Sequence, residues 1–161
     1  MLATAKQREI AAEVARLVHD HQFRKAAQLV SDESRLDKKI ASDRPAECNA
    51  VLQPFLHWLL ENNGMEEAAQ LLWTPNQFNP NPQFTKDLWK LFDRTSTGLI
   101  MGAASCSKSF GMGVRLFLEW IRDPAWTTVR VIGPSEDHLQ TNLFSHLVAL
   151  HEQASLPMPG E

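Results

Sequence analysis

The twelve residues 74–85, Thr-Pro-Asn-Gln-Phe-Asn-Pro-Asn-Pro-Gln-Phe-Thr, set the tightest limit on how this chain can fold. They hold three prolines and three asparagines. Proline removes a backbone donor and clashes with the preceding helical turn, and asparagine favours turns. No helix runs through such a stretch. It reads as an extended linker, 74–85, between a domain over 1–73 and a second over 86–161.

Upstream the patterning is wholly helical. Thr4-x-x-Gln7 is a capping box ahead of Ile10, Val14, Leu17 and Val18, which fall on one stripe at helical spacing. Residues 13–30 align with 55–72 at an offset of 42. Leu17 then matches Leu59, Val18 matches Leu60, Phe23 matches Met65, and Ala26-Ala27-Gln28-Leu29 returns as Ala68-Ala69-Gln70-Leu71. Each copy predicts a helix, a short polar turn and a second helix. Two such hairpins suggest an internal repeat, although shared helix-forming composition would give the same match. The polar stretch 31–45 links them. Val51, Leu52, Phe55, Leu56, Trp58, Leu59 and Leu60 are apolar nearly all round a helix, which predicts burial, with Pro54 inside it. His19, His21 and His57 match no common metal-ligand spacing and read as solvated or core histidines.

Downstream the period changes. A short helix over 86–92 precedes an apolar strand over 97–101. Phe110, Val114, Phe117, Leu118 and Ile121 then mark a helix that Asp123-Pro124 stops. A second strand is predicted over 127–132, Thr-Thr-Val-Arg-Val-Ile, and Gly133-Pro134 turns the chain. Ser135 is an N-cap for a last helix, with Glu136 and Asp137 in its first turn and Leu139, Leu143, Phe144, Leu147, Val148 and Leu150 along it. His138, His146 and His151 read as solvated or packing residues there. The order βαβα predicts the start of a parallel, helix-covered sheet. The expected class is therefore α/β: an all-helical N-terminal domain, then an incomplete P-loop NTPase domain.

The chemistry concentrates between the first strand and its helix. Gly102-Ala103-Ala104-Ser105-Cys106-Ser107-Lys108-Ser109 meets the phosphate-loop pattern G-x-x-x-x-G-K-[ST] at every fixed position except Ser107, where glycine is usual. A loop of small residues lets backbone N–H groups wrap an anion, and the helix N-terminus adds its dipole. Lys108 would reach the β- and γ-phosphates of a nucleotide, and the Ser109 hydroxyl would ligate Mg²⁺. A side chain at Ser107 crowds the closest backbone approach and disfavours positive φ. Cys106 reads as a loop filler, the other reading being a thiol activated by the helix terminus and a lysine.

Composition narrows the partners. Residues 1–75 carry 9 basic and 11 acidic side chains, and residues 76–161 carry 7 and 8, so neither part has the basic excess of a stand-alone nucleic-acid binder. Cys48 and Cys106 lack paired spacing and read as reduced thiols. No apolar run approaches membrane-span length, and the N-terminus has no signal-peptide core. The expectation is a soluble, cytoplasmic protein, in the host cytoplasm if it is viral, without membrane contact.

Over about residues 76–151 the chain resembles the ATPase motor of tailed-bacteriophage large terminase subunits, which pump DNA into procapsids. Four elements carry the likeness: Pro82-Gln83 leading into a helix, the segment Leu99 to Ser109, the helix end Leu118-Glu119-Trp120-Ile121-Arg122-Asp123-Pro124, and Thr127 to Ser135 before a Leu/Phe-rich helix. The resemblance implies ATP and Mg²⁺ as cofactors. It implies double-stranded DNA, a small terminase subunit or portal, and further copies of the chain as partners of the full-length motor. It also implies a glutamine upstream of the loop that reads the adenine edge, for which Gln83 is the candidate and Gln77 the runner-up. Two departures bear on catalysis: Ala103 and Ala104 stand where many terminases carry an arginine, and Ser107 replaces glycine. No apolar strand ending in Asp-Glu, which would hold Mg²⁺ and activate water, serves in this sequence. The chain is therefore expected to be the N-terminal part of a longer ATPase, binding nucleotide without appreciable hydrolysis alone. Two other readings stay open: a helical-repeat adaptor with a degenerate phosphate loop, and another P-loop enzyme such as a helicase or small-molecule kinase.

Overall fold

Helix α1, Ala5–His19, starts at the predicted capping box. Thr4 Oγ1 accepts from the Gln7 amide at 3.3 Å, and Gln7 Oε1 accepts from the Thr4 amide at 2.7 Å. Two otherwise orphaned donors are satisfied reciprocally. The computed structural model describes residues 4–33, 45–78, 82–92, 108–133 and 135–158. They fall in two compact units, Met1–Pro75 with Ala154–Glu161, and Asn76–Gln153.

The first unit is built from α1, α2 (Phe23–Glu33), α3 (Pro45–Glu61) and α4 (Met65–Leu72). Helix α1 packs on α2 and α4, and α3 packs on the same two, so the four helices close on one another. Val14, Val18, Leu52, Leu56, Leu59, Leu60, Leu71 and Leu72 fill the centre. Each such side chain contributes about 1.5–3 kcal/mol of burial. Ala26, Ala27, Ala68 and Ala69 are also buried, and their small size lets the backbones approach.

The offset of 42 reappears in the turns. His21 has φ 56° and Asn63 has φ 59°, both left-handed. Asp20 N–H donates to the Arg16 carbonyl at 3.0 Å and Gln22 N–H to the Leu17 carbonyl at 2.8 Å. Shifted by 42, Asn62 N–H donates to Trp58 at 3.1 Å and Gly64 N–H to Leu59 at 2.8 Å. Each hairpin thus ends its first helix with the same left-handed cap, in which the second residue past the cap bonds back across the last turn. Such caps end many helices, so the match in geometry is compatible with a repeat and with shared helix-forming composition alike.

His19 joins this unit together. Its Nε2 lies 2.6 Å from the Gln70 carbonyl, which only accepts, so Nε2 donates; Nδ1 then accepts from Ser155 Oγ at 3.2 Å. The Ser155 amide donates to the Leu72 carbonyl at 2.8 Å, Leu156 is buried, and the Gln53 amide donates to the Pro157 carbonyl. Residues 154–158 are thus a fifth element of the first unit.

The second unit holds α5 (Pro82–Phe92), α6 (Lys108–Arg122), and a continuous helical run made of α7 (Glu136–Leu139), a π-helical turn (Gln140–Phe144) and α8 (Ser145–Glu152). Helix α5 begins at Pro82, where a missing N–H costs nothing. Ser135 caps α7 as predicted, its Oγ accepting from the His138 amide at 3.2 Å. Helix α6 is the centre: Val114, Leu118 and Ile121 are buried, α5 packs on it, and so do the π turn and α8. Buried Arg115 pairs with Glu119 at 2.5 Å, and Glu119 also holds Arg122 at 2.7 Å.

The expected α/β class is overturned. The described residues are helical and contain no strand. Residues 127–132 are irregular, with Val129 37% exposed and Ile132 95% exposed. β-Branched composition suggested a strand there, but a strand needs a neighbour to bond and a face to bury, and among the described residues none pairs with 127–132. The predicted strand 97–101 lies outside the described residues. The parallel sheet, and with it the βαβα order, is withdrawn.

Candidate nucleotide-binding site

Helix α6 is described over Lys108–Arg122, so the backbone of Lys108 and Ser109 is helical. Phosphate binding asks further that the pair fall in a helix's first turn, where N–H groups have no partner within the helix and the dipole is positive. The preceding Gly102, Ala103, Ala104, Ser105, Cys106 and Ser107 lie outside the described residues, as do the side chains of Lys108 and Ser109.

The two glutamines part company. Gln83 is the second residue of α5, and its side chain falls outside the described set. Gln77 Nε2 donates to the Gln153 carbonyl at 3.3 Å. Its neighbour Phe78 packs edge-on against Phe110, with ring centroids 5.7 Å apart and planes at 68°. Phe110 lies in α6 two residues after Lys108, so the chain at Gln77 runs close to that part of the helix.

A layer of aromatic rings backs this end of α6. The Trp89 indole N–H donates to the Gly111 carbonyl at 2.9 Å and fixes α5 against α6. A Cβ on Gly111 would meet nothing nearer than Thr85 at 3.7 Å, so this approach does not depend on glycine. Phe78 stacks on Trp89 at 6.1 Å and 9°, and Phe110 meets His146 at 5.6 Å and 67°. Trp89 and Phe78 are buried, Phe110 is half-buried and His146 is exposed. Sequence reading missed the grouping because residues 78, 89, 110 and 146 share no local period. Aromatic character near the Lys-Ser pair was the only signal, and His146 read as a solvated or packing residue.

A depression of about 380 Å³ lies elsewhere, lined by Val131, Ile132, Leu139, Gln140 and Phe144 among others. None of the predicted site residues lines it. Among the described residues no group of three or more His, Cys, Asp or Glu side chains is placed to hold a metal ion. No helix among them is long and apolar enough to cross a membrane. Compared with protein-family models, with curated proteins and with solved structures, the chain finds no match.

Proposed function

We propose that residues 102–109 with the first turn of α6 bind the phosphates of Mg·ATP, and that this chain is the nucleotide-binding portion of a viral DNA-packaging motor, a terminase large subunit. The observation that supports the reading is the helical backbone at Lys108 and Ser109, directly after a run of small residues in the sequence. Anion binding there asks for a helix end and a close-fitting backbone, and no sheet enters the argument. Lys108 neutralises the β- and γ-phosphates, and the Ser109 hydroxyl ligates Mg²⁺. Gly102, Ala103, Ala104, Ser105, Cys106 and Ser107 supply backbone donors, and Gln83 or Gln77 reads the adenine edge.

The motor assignment draws further support from the resemblance over residues 76–151. In that setting the partners are double-stranded DNA, further copies of the chain, and a small terminase subunit or portal, in the cytoplasm of a host cell. Without an Asp-Glu pair at the end of an apolar strand, this chain binds nucleotide and does not turn it over appreciably.

A second reading has its own observation. The four helices of the first unit close on one another, and their two hairpins share the same turn geometry. That supports an interaction module, either appended to the motor or acting as an adaptor with a degenerate loop. Binding of Mg·ATP to the wild type and to Lys108→Ala separates the two. A motor loses binding on substitution; an adaptor shows no saturable binding in either protein.

A further inference from the structure

Residues 154–158, Ala-Ser-Leu-Pro-Met, belong to the first unit but form neither helix nor strand. Three helices hold them. At the end of α4 the Leu72 carbonyl accepts from the Ser155 amide at 2.8 Å. At the end of α1 the His19 ring is oriented by its Nε2 contact with the Gln70 carbonyl, and its Nδ1 accepts from Ser155 Oγ at 3.2 Å. On α3 the Gln53 side-chain amide donates to the Pro157 carbonyl. Between these polar contacts Leu156 is buried, only 2% exposed, while Pro157 stays in solvent.

We propose that this seat on α1, α3 and α4 is a peptide-binding site, which residues 154–158 occupy in cis and which takes an extended Ser-Leu-Pro segment of another protein in their place. The inference builds on the interaction-module reading of the first unit and not on the nucleotide site. Three features argue for it. The contacts read consecutive positions of an extended chain: a backbone N–H and a hydroxyl at serine, an apolar anchor at leucine, a carbonyl at proline. A buried anchor ringed by hydrogen bonds is how interfaces concentrate their binding energy. Proline fixes its own φ and keeps the residue before it extended, so Leu156 loses little freedom on docking. Finally, α1 to α4 close on one another by their own contacts. One buried leucine and three hydrogen bonds are set against the ordering of five residues, so the segment can leave while the helices stay folded.

Fluorescence anisotropy with a labelled, end-blocked peptide Ala-Ser-Leu-Pro-Met tests this. Leu156→Asp in the full chain removes the cis anchor, and a chain ending at Gln153 vacates the seat outright. Both are expected to bind the peptide saturably. The wild type should bind at least about tenfold more weakly, because its tethered segment competes at an effective concentration of about millimolar. A peptide with aspartate in place of leucine should not bind, and Gln53→Ala added to Leu156→Asp should weaken binding about fivefold. Absence of saturable binding to both vacated chains, or equal binding of the two peptides, overturns the proposal and leaves the interaction module to other partners. Loss of helical folding in both vacated chains overturns it too, since the segment would then be part of the core and not a ligand. A wild type that dimerises with rising concentration, and that the peptide dissociates, would give the seat to a second copy and overturn the partner assignment.

Discussion

Gly111 and Gly113 stand two residues apart in α6, and replacing each with alanine should change stability in opposite directions. Alanine in a helix interior is favoured over glycine by about 0.5–1 kcal/mol, because glycine loses more backbone freedom on folding. At Gly111 the new Cβ would find its nearest neighbours, both atoms of Thr85, at 3.7 Å, which is ordinary contact. Nothing offsets the gain, so Gly111→Ala should stabilise by about 0.5–1 kcal/mol. At Gly113 the Cβ would lie 2.3 Å from Leu143 Cδ1 and 3.5 Å from its Cγ. Leu143 is 6% exposed, in the π-helical turn, and must leave its rotamer or push the turn away. Overpacking of this kind costs about 1–3 kcal/mol, which exceeds the propensity gain. Gly113→Ala should therefore destabilise by about 1 kcal/mol, giving a spread of about 2 kcal/mol between the variants. For a unit of this size that is about 8 °C or more in Tm. Thermal unfolding followed by circular dichroism measures it. On a Leu143→Ala background the clash disappears, and Gly113→Ala should become stabilising. Equal shifts for both glycine variants, or a more stable Gly113→Ala in the otherwise native chain, would refute the packing of α6 on the π turn.

The two left-handed turn residues differ in chemistry, so relieving them should have unequal effects. His21→Gly should stabilise by up to about 1 kcal/mol and Asn63→Gly by less, because asparagine tolerates the conformation better; urea unfolding of both variants checks the order. Glu13 titrates below its ordinary value of 4.5 because it accepts a hydrogen bond from Arg16, with the charge of Arg16 adding to the effect. Its folded pKa is depressed, so its contribution is present above pH 4.5 and lost as pH falls through the folded value. NMR titration should show the Glu13 pKa rising in Arg16→Ala; an unchanged value would contradict the pairing. Glu119→Ala removes a carboxylate partner of the buried Arg115 guanidinium and should cost about 1–3 kcal/mol, measured by denaturant unfolding. A loss below about 0.5 kcal/mol would mean that the pair behaves as a surface one.

What the sequence made legible was set by local rules. The capping box at Thr4 and Gln7, the cap at Ser135 and the stripe through Val14, Leu17 and Val18 each depend on residues within one or two helical turns. The 42-residue offset also relates the turns at His21 and Asn63, which share a left-handed φ and the same back-bonds. The strand over 127–132 failed for the complementary reason. Strand formation depends on what lies alongside, and Thr127, Thr128, Val129 and Ile132 have β-branched side chains but no strand among the described residues to pair with. The π-helical turn at 140–144 was hidden too, because the sequence there keeps helical spacing while Leu143 is drawn onto Gly113. For the site, the Lys-Ser pair came from its motif; its backbone is helical, and the loop before it lies outside the described residues. The ring layer from Trp89 to His146 was not found, since it assembles only when α5, α6 and α8 pack.

The most direct test of the nucleotide-binding proposal is a two-dimensional NMR titration of the amide resonances with Mg·ATP. Binding at the start of α6 predicts saturable shifts at Phe110 and Gly111, absent in Lys108→Ala, while the resonances of α1 to α4 stay in place. No saturable shift at Phe110 and Gly111, or shifts confined to the first unit, would contradict it.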